Sequence, residues 1–126
     1  MVLPNAEKIC KVIEKEHPEE FSRLIQSKRA LSLFMADWCS PCRLLMQDLT
    51  SNDSFKDFLD QNQIQGIYVD VDRSQVLVDE YRIRAVPQIM FFGDGKYMDN
   101  NIGVIGRSQL TERIKRNYNL DKVVAA

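Results

Sequence analysis

Residues 30–36, Ala-Leu-Ser-Leu-Phe-Met-Ala, run through Asp37 into Trp38-Cys39-Ser40-Pro41-Cys42, and this junction constrains the fold more than any other stretch. An almost wholly apolar run of that length fits a strand covered on both faces, hence a central strand of a largely parallel sheet. Leu45, Met46 and Leu49 follow Cys42 at helical spacing. The two cysteines therefore stand where a buried strand passes into a helix. A layered α/β architecture, with helices on both faces of a sheet, accommodates that junction.

The remaining patterns extend this layout. Ala6, Ile9, Cys10 and Ile13 recur at helical spacing and predict an amphipathic helix over residues 5–16. Pro18, Glu19 and Glu20 open a second helix with Phe21, Leu24 and Ile25 as its buried face. Asp53 or Ser54 caps a helix carrying Phe55, Phe58 and Leu59. Ile67, Val69 and Val71 alternate with Tyr68, Asp70 and Asp72, the period of a strand, and a short helix follows over residues 74–81. Val86-Pro87 precedes the apolar run Ile89-Met90-Phe91-Phe92, and Gly93-Asp94-Gly95-Lys96 reads as a hairpin turn into a strand reaching Val104. These last two strands are expected to be antiparallel, which makes the sheet mixed. Ser108 caps a final helix with Leu110, Ile114 and Tyr118 inward, and Arg107, Arg113, Lys115 and Arg116 read as its solvated face. The expected organisation is one domain: an N-terminal helical segment over 1–29 packed on a core over 30–120, with a loose tail over 121–126.

Composition narrows the function. Seventeen basic and eighteen acidic side chains give a net charge of −1, so no overall field favours nucleic acid or an anionic membrane. Met1-Val2-Leu3-Pro4-Asn5-Ala6-Glu7-Lys8 lacks the apolar centre of a signal peptide, and no later run is long enough to span a bilayer. A soluble, cytoplasmic protein is the expectation. The chain has 3 cysteines, one of them necessarily unpaired within the chain, which does not look like a secreted disulfide framework, and a Cys-x-x-Cys pair in a cytosolic chain points to redox or metal chemistry.

Trp38-Cys39-Ser40-Pro41-Cys42 resembles the Trp-Cys-x-Pro-Cys active site of the thioredoxin family, Val86-Pro87 resembles its cis-proline, and Gly95 and Gly103 resemble its hairpin and groove glycines. The likeness in element order covers roughly residues 31–118. It implies the thioredoxin fold and a protein-disulfide reductase in which Cys39 is the nucleophile, Cys42 resolves the mixed disulfide, and Trp38, Pro41 and Pro87 shape the site. It also implies a substrate groove lined by Val71, Val86, Ile102 and Gly103, with Asp72 as partner of the Trp38 indole. The implied partners are disulfide-containing proteins and a reductant, either a thioredoxin-reductase-type enzyme or a small thiol. No cofactor beyond the cysteine pair is implied, and a monomer is expected. The physical case runs in parallel, because a thiolate at a helix N-terminus meets unpaired N–H groups and a positive dipole, an effect for which thioredoxins are a known instance.

The chain also departs from the family. Leu33 occupies the place of a buried aspartate that serves the resolving thiol, Tyr68 that of a nearby lysine, Gln47 that of a helix-kinking proline, and Gln88 that of the threonine after the cis-proline. Joint loss of carboxylate and ammonium is self-consistent, since either alone is a costly unpaired buried charge. The helical patterns before residue 30 leave open whether the first strand is missing, its place taken by an extra helix. Two other readings stay open: a zinc site using Cys10, His17, Cys39 and Cys42, and an interaction module that keeps the fold but works mainly by binding.

Overall fold

Strands form where the apolar runs place them. The computed structural model describes residues 1–120. Its sheet has the order β1-β3-β2-β4-β5, built from β1 (Lys11–Val12), β2 (Arg29–Met35), β3 (Ile64–Asp70), β4 (Gln88–Gly93) and β5 (Lys96–Ile102). β2 pairs with β3 in parallel and with β4 antiparallel, and β4 and β5 form an antiparallel hairpin. Asp94 and Gly95 both adopt positive φ at the hairpin tip, as a tight turn of the hand that suits twisted strands requires. The tip is docked, its N–H groups donating to the carbonyls of Ser27 and Ile25.

Helices cover both faces. α2 (Ser40–Leu49), α3 (Ser54–Gln61) and α5 (Arg107–Asn117) pack with the N-terminal residues Leu3, Ala6, Ile9 and Cys10 on one face, over Leu33, Tyr68, Ile89 and Phe91. On the other face, α1 (Glu19–Leu24) and α4 (Gln75–Glu80) place Phe21, Leu24 and Leu77 over Phe34, Ile67, Val69 and Phe92. Double coverage explains why Tyr68 and Asp70 of β3, the polar half of its alternation, are as buried as Ile67 and Val69. No helix among the described residues is long and apolar enough to cross a membrane.

Three expectations are corrected. Residues 5–16 form no helix: a 3₁₀ turn over Ala6–Lys8 leads into β1, which pairs in parallel with β3, so the first strand is present. The apolar stripe that suggested a helix is divided by the sheet, with Ala6, Ile9 and Cys10 on one face and Ile13 on the other. Free pairing groups at the edge of β3 outweigh the local helical pattern, and Gly66 permits the close crossing because a Cβ there would overlap the Ile9 carbonyl. The final helix is capped at Gly106, whose N–H donates to Gln109 Oε1 at 3.1 Å, and Ser108 lies inside it. Arg113 is no solvated-face residue. Its Nε and Nη2 reach the two carboxylate oxygens of Asp99 at 2.6 and 2.9 Å, and Nη1 reaches Asn101 Oδ1 at 2.7 Å, tying α5 to β5. The expected tail over 121–126 lies outside the described residues.

Candidate active site

Cys39 is the N-cap of α2, with extended backbone angles, and its sulfur accepts the N–H of Cys42 at 3.3 Å. Pro41 sits in the first turn, where its missing N–H deprives the helix of no bond. Cys39 and Cys42 are joined as a disulfide with Cα atoms 5.2 Å apart. Cys42 is fully buried and Cys39 is 4% exposed, so any access is to Cys39. A thiolate at Cys39 would receive the Cys42 N–H and the positive end of a ten-residue helix.

The surrounding groups converge from separate elements. Trp38 is 63% exposed, and its indole N–H donates to the Asp72 carboxylate at 2.8 Å, tying the ring to the segment after β3. The Val86–Pro87 peptide is cis. Gly103, at φ +99°, donates its N–H to the Pro87 carbonyl at 2.9 Å, so the end of β5 lies beside the proline. A cleft of about 260 Å³ brings Val71 and Val86 against Trp38. Ile102 and Gly103 lie outside it, on the β5 side of the proline, where Ile102 is exposed.

Several groups escaped sequence reasoning. Arg43 turns back to donate to the Asp37 carbonyl at 2.8 Å and to Ser40 Oγ at 2.9 Å, tethering the loop that carries Cys39; the spacing from Ser40 to Arg43 was its only signal. Leu44 and Val104 are exposed apolar side chains lining a second depression with Pro41. In the core cluster that also contains the cysteines, Leu33 and Tyr68 are direct partners in the β2–β3 register and both are buried. Tyr68 Oη accepts the Leu3 N–H at 3.2 Å, and burial pushes its phenol up to about 12. The buried carboxylate on this face is instead Asp70, whose Oδ1 accepts the Asp72 N–H and whose Oδ2 lies 3.0 Å from the Met1 ammonium.

Cys10 is a buried free thiol on the same face, pushed up to about 12 by burial. His17 is exposed and pairs with Glu19 at 3.0 Å. Among the described residues, no group of three or more His, Cys, Asp or Glu side chains is arranged to hold a metal ion.

Residues 12–116 match the family model described as Thioredoxin. The chain belongs to the thioredoxin family. It is 34% identical over 93 residues to the thioredoxin of Mycoplasmoides gallisepticum, an alignment spanning 73% of this chain and 87% of that one. Thioredoxin of Rickettsia bellii is 30% identical over 84 residues, covering 67% and 76% of the two chains. Among solved structures, the thioredoxin of Malassezia sympodialis superposes with a TM-score of 0.72 at 26% identity, covering 86% of this chain and 90% of that one. The mixed five-stranded sheet with helices on both faces is the thioredoxin fold. The protein is accordingly a thiol–disulfide oxidoreductase of the disulfide-reducing kind, a class that acts on disulfide substrates, is recharged by thioredoxin reductase and needs no bound cofactor.

Proposed function

We propose that the protein reduces protein disulfides by a two-step exchange led by Cys39. The Cys39 thiolate attacks one sulfur of the substrate disulfide, forming a mixed disulfide and expelling the other substrate sulfur as a thiolate. Cys42, deprotonated, then attacks Cys39, expelling the second substrate sulfur and leaving the Cys39–Cys42 disulfide. Substrate gains two electrons and the cysteine pair loses two; water supplies and removes the protons. The observation that carries this reading is Cys39 at the N-cap of α2 with its sulfur on the Cys42 N–H. Leu33 offers no base to the buried Cys42, so water reaching it once the site opens, or another group, must take that thiol's proton, which slows the second step.

Trp38, Val71 and Val86 on one side of Pro87, and Ile102 and Gly103 on the other, form the surface on which an extended substrate segment lies. Val86 makes no backbone hydrogen bond among the described residues, which leaves its peptide groups available to such a segment. The proposed setting is the cytoplasm, where a thioredoxin-reductase-type enzyme or a small thiol regenerates the dithiol of a monomeric protein.

Reduction of insulin by dithiol-recharged protein tests the reading. Wild type turns over, Cys39→Ser is inactive, and Cys42→Ser stops at an isolable mixed disulfide through Cys39. A folded wild-type protein with titratable thiols and no turnover on any protein disulfide overturns it and supports an interaction module instead.

A further inference from the structure

The cleft beside Trp38 carries a charge that the exchange chemistry does not use. Its walls include the apolar Val71, Ile83 and Val86, and its two charged side chains are Asp72 and Arg84. Asp72 is engaged by the Trp38 indole N–H at 2.8 Å. Arg84 is exposed and makes no ion pair or hydrogen bond among the described residues. The segment that presents it is held at both ends. Upstream, the Ile83 N–H donates to the Val78 carbonyl at 2.9 Å; downstream, Pro87 is bonded to Gly103.

An unpaired guanidinium on the wall of a largely apolar cleft, two residues before the backbone on which a substrate segment would lie, is placed to meet an anionic group on that segment. A planar fork of donors suits a carboxylate better than any other group a polypeptide presents. Phosphate or nucleic acid is disfavoured, because the cleft offers one cation and an opposing carboxylate at Asp72.

We propose that Arg84 is a specificity-determining residue, selecting substrates that carry an aspartate or glutamate close in sequence to the cysteine under attack, with the acidic side chain seated in the cleft beside Trp38. This rests on the reductase reading for the word substrate, but the contact itself is a binding event. The apolar walls take the methylenes of the acidic residue, and the guanidinium takes its carboxylate. Electrostatic selection of this kind acts on encounter and register more than on the chemical step.

The test uses disulfide-linked peptides that place Glu, Gln or Lys at one of several positions on either side of the cysteine. In low salt, the wild type favours at least one Glu peptide over its Gln twin by about threefold to fivefold in kcat/KM, the range expected of one solvent-accessible ion pair. The ratio falls toward unity in high salt and in Arg84→Ala, and Arg84→Glu reverses it in favour of Lys peptides. A parallel measurement needs no catalysis: the double variant Cys39→Ser, Cys42→Ser is titrated with thiol-blocked peptides while Trp38, the sole tryptophan, reports occupancy by fluorescence. Turnover without any Glu preference overturns the selection and leaves the reductase intact. Glu-selective binding that depends on Arg84, with no turnover, overturns the reductase and leaves the cleft's assignment standing. A Glu preference that survives Arg84→Ala overturns the role of Arg84.

Discussion

Replacing Asp99 by asparagine tests whether the charged clamp between β5 and α5 contributes to stability in the way its geometry implies. The carboxylate accepts two parallel bonds from Arg113, at 2.6 and 2.9 Å, and a third from Asn117 at 2.9 Å. Both partners of the ion pair are about three-quarters buried, with side-chain exposures of 26% and 28%. Solvent therefore screens the pair less than an ordinary surface bridge, which contributes under about 1 kcal/mol, while a fully buried charge-assisted bond reaches about 3 kcal/mol. An intermediate loss of about 2 kcal/mol follows, or roughly 6–10 °C in Tm for a chain of this size.

The pH dependence gives the sharper test. Arg113, followed by Asn117, holds the Asp99 carboxyl well below the usual carboxylate range. A depressed folded-state pKa contributes stability that is complete above the unfolded value near pH 4 and is lost as the pH falls through the folded value. Thermal melts of the oxidised wild type and of Asp99→Asn should thus differ by a constant amount between about pH 7 and 5 and converge below about pH 4. A gap that stays constant down to pH 2.5, or one under about 0.5 kcal/mol at pH 7, refutes the reasoning.

Other outcomes follow from the same structure. Cys10, buried with its thiol pushed up to about 12, should resist iodoacetamide at pH 8 in the native reduced protein while Cys39 reacts, and should alkylate readily in denaturant; mass spectrometry of the modified peptides checks this. Leu33→Asp removes a fully buried side chain and installs an unpaired carboxylate, so it should cost more than about 4 kcal/mol in urea unfolding. Adding Tyr68→Lys, its register partner, should recover at least about 1 kcal/mol, and a double variant no more stable than the single shows that the two positions are not coupled.

Residues 30–49 could be read in full from sequence, because a doubly buried strand and an amphipathic helix each carry their own period and the cysteines mark the boundary between them. The N-terminus could not. Its Ala6, Ile9, Cys10 and Ile13 pattern fits a helix locally, yet the residues serve two faces of a sheet whose open edge at β3 comes from a segment more than fifty residues away. The order of charges misled in the same way at Arg113, which looks solvated on a helical wheel and is paired only because the β5 hairpin folds beneath it. Within the site, Trp38, Cys39, Pro41 and Cys42 were visible as one run, and Val86-Pro87 as a motif. Arg84 passed unnoticed, since nothing in its neighbours along the chain says that it lines the same cleft as Trp38.

The sequence by itself determined the chemistry: two thiols three residues apart at a strand-to-helix junction, with a proline between them that the first helical turn tolerates. Those properties are local, set by residue type, spacing and backbone preference. Only the tertiary structure decided how that chemistry is housed: the first strand pairing at the edge of β3, the Leu33–Tyr68 pairing in the core that also holds the cysteines, the indole tied to Asp72, and an unpaired guanidinium left on the cleft wall. Each depends on contacts between residues far apart in the chain, whose free energy no local period records.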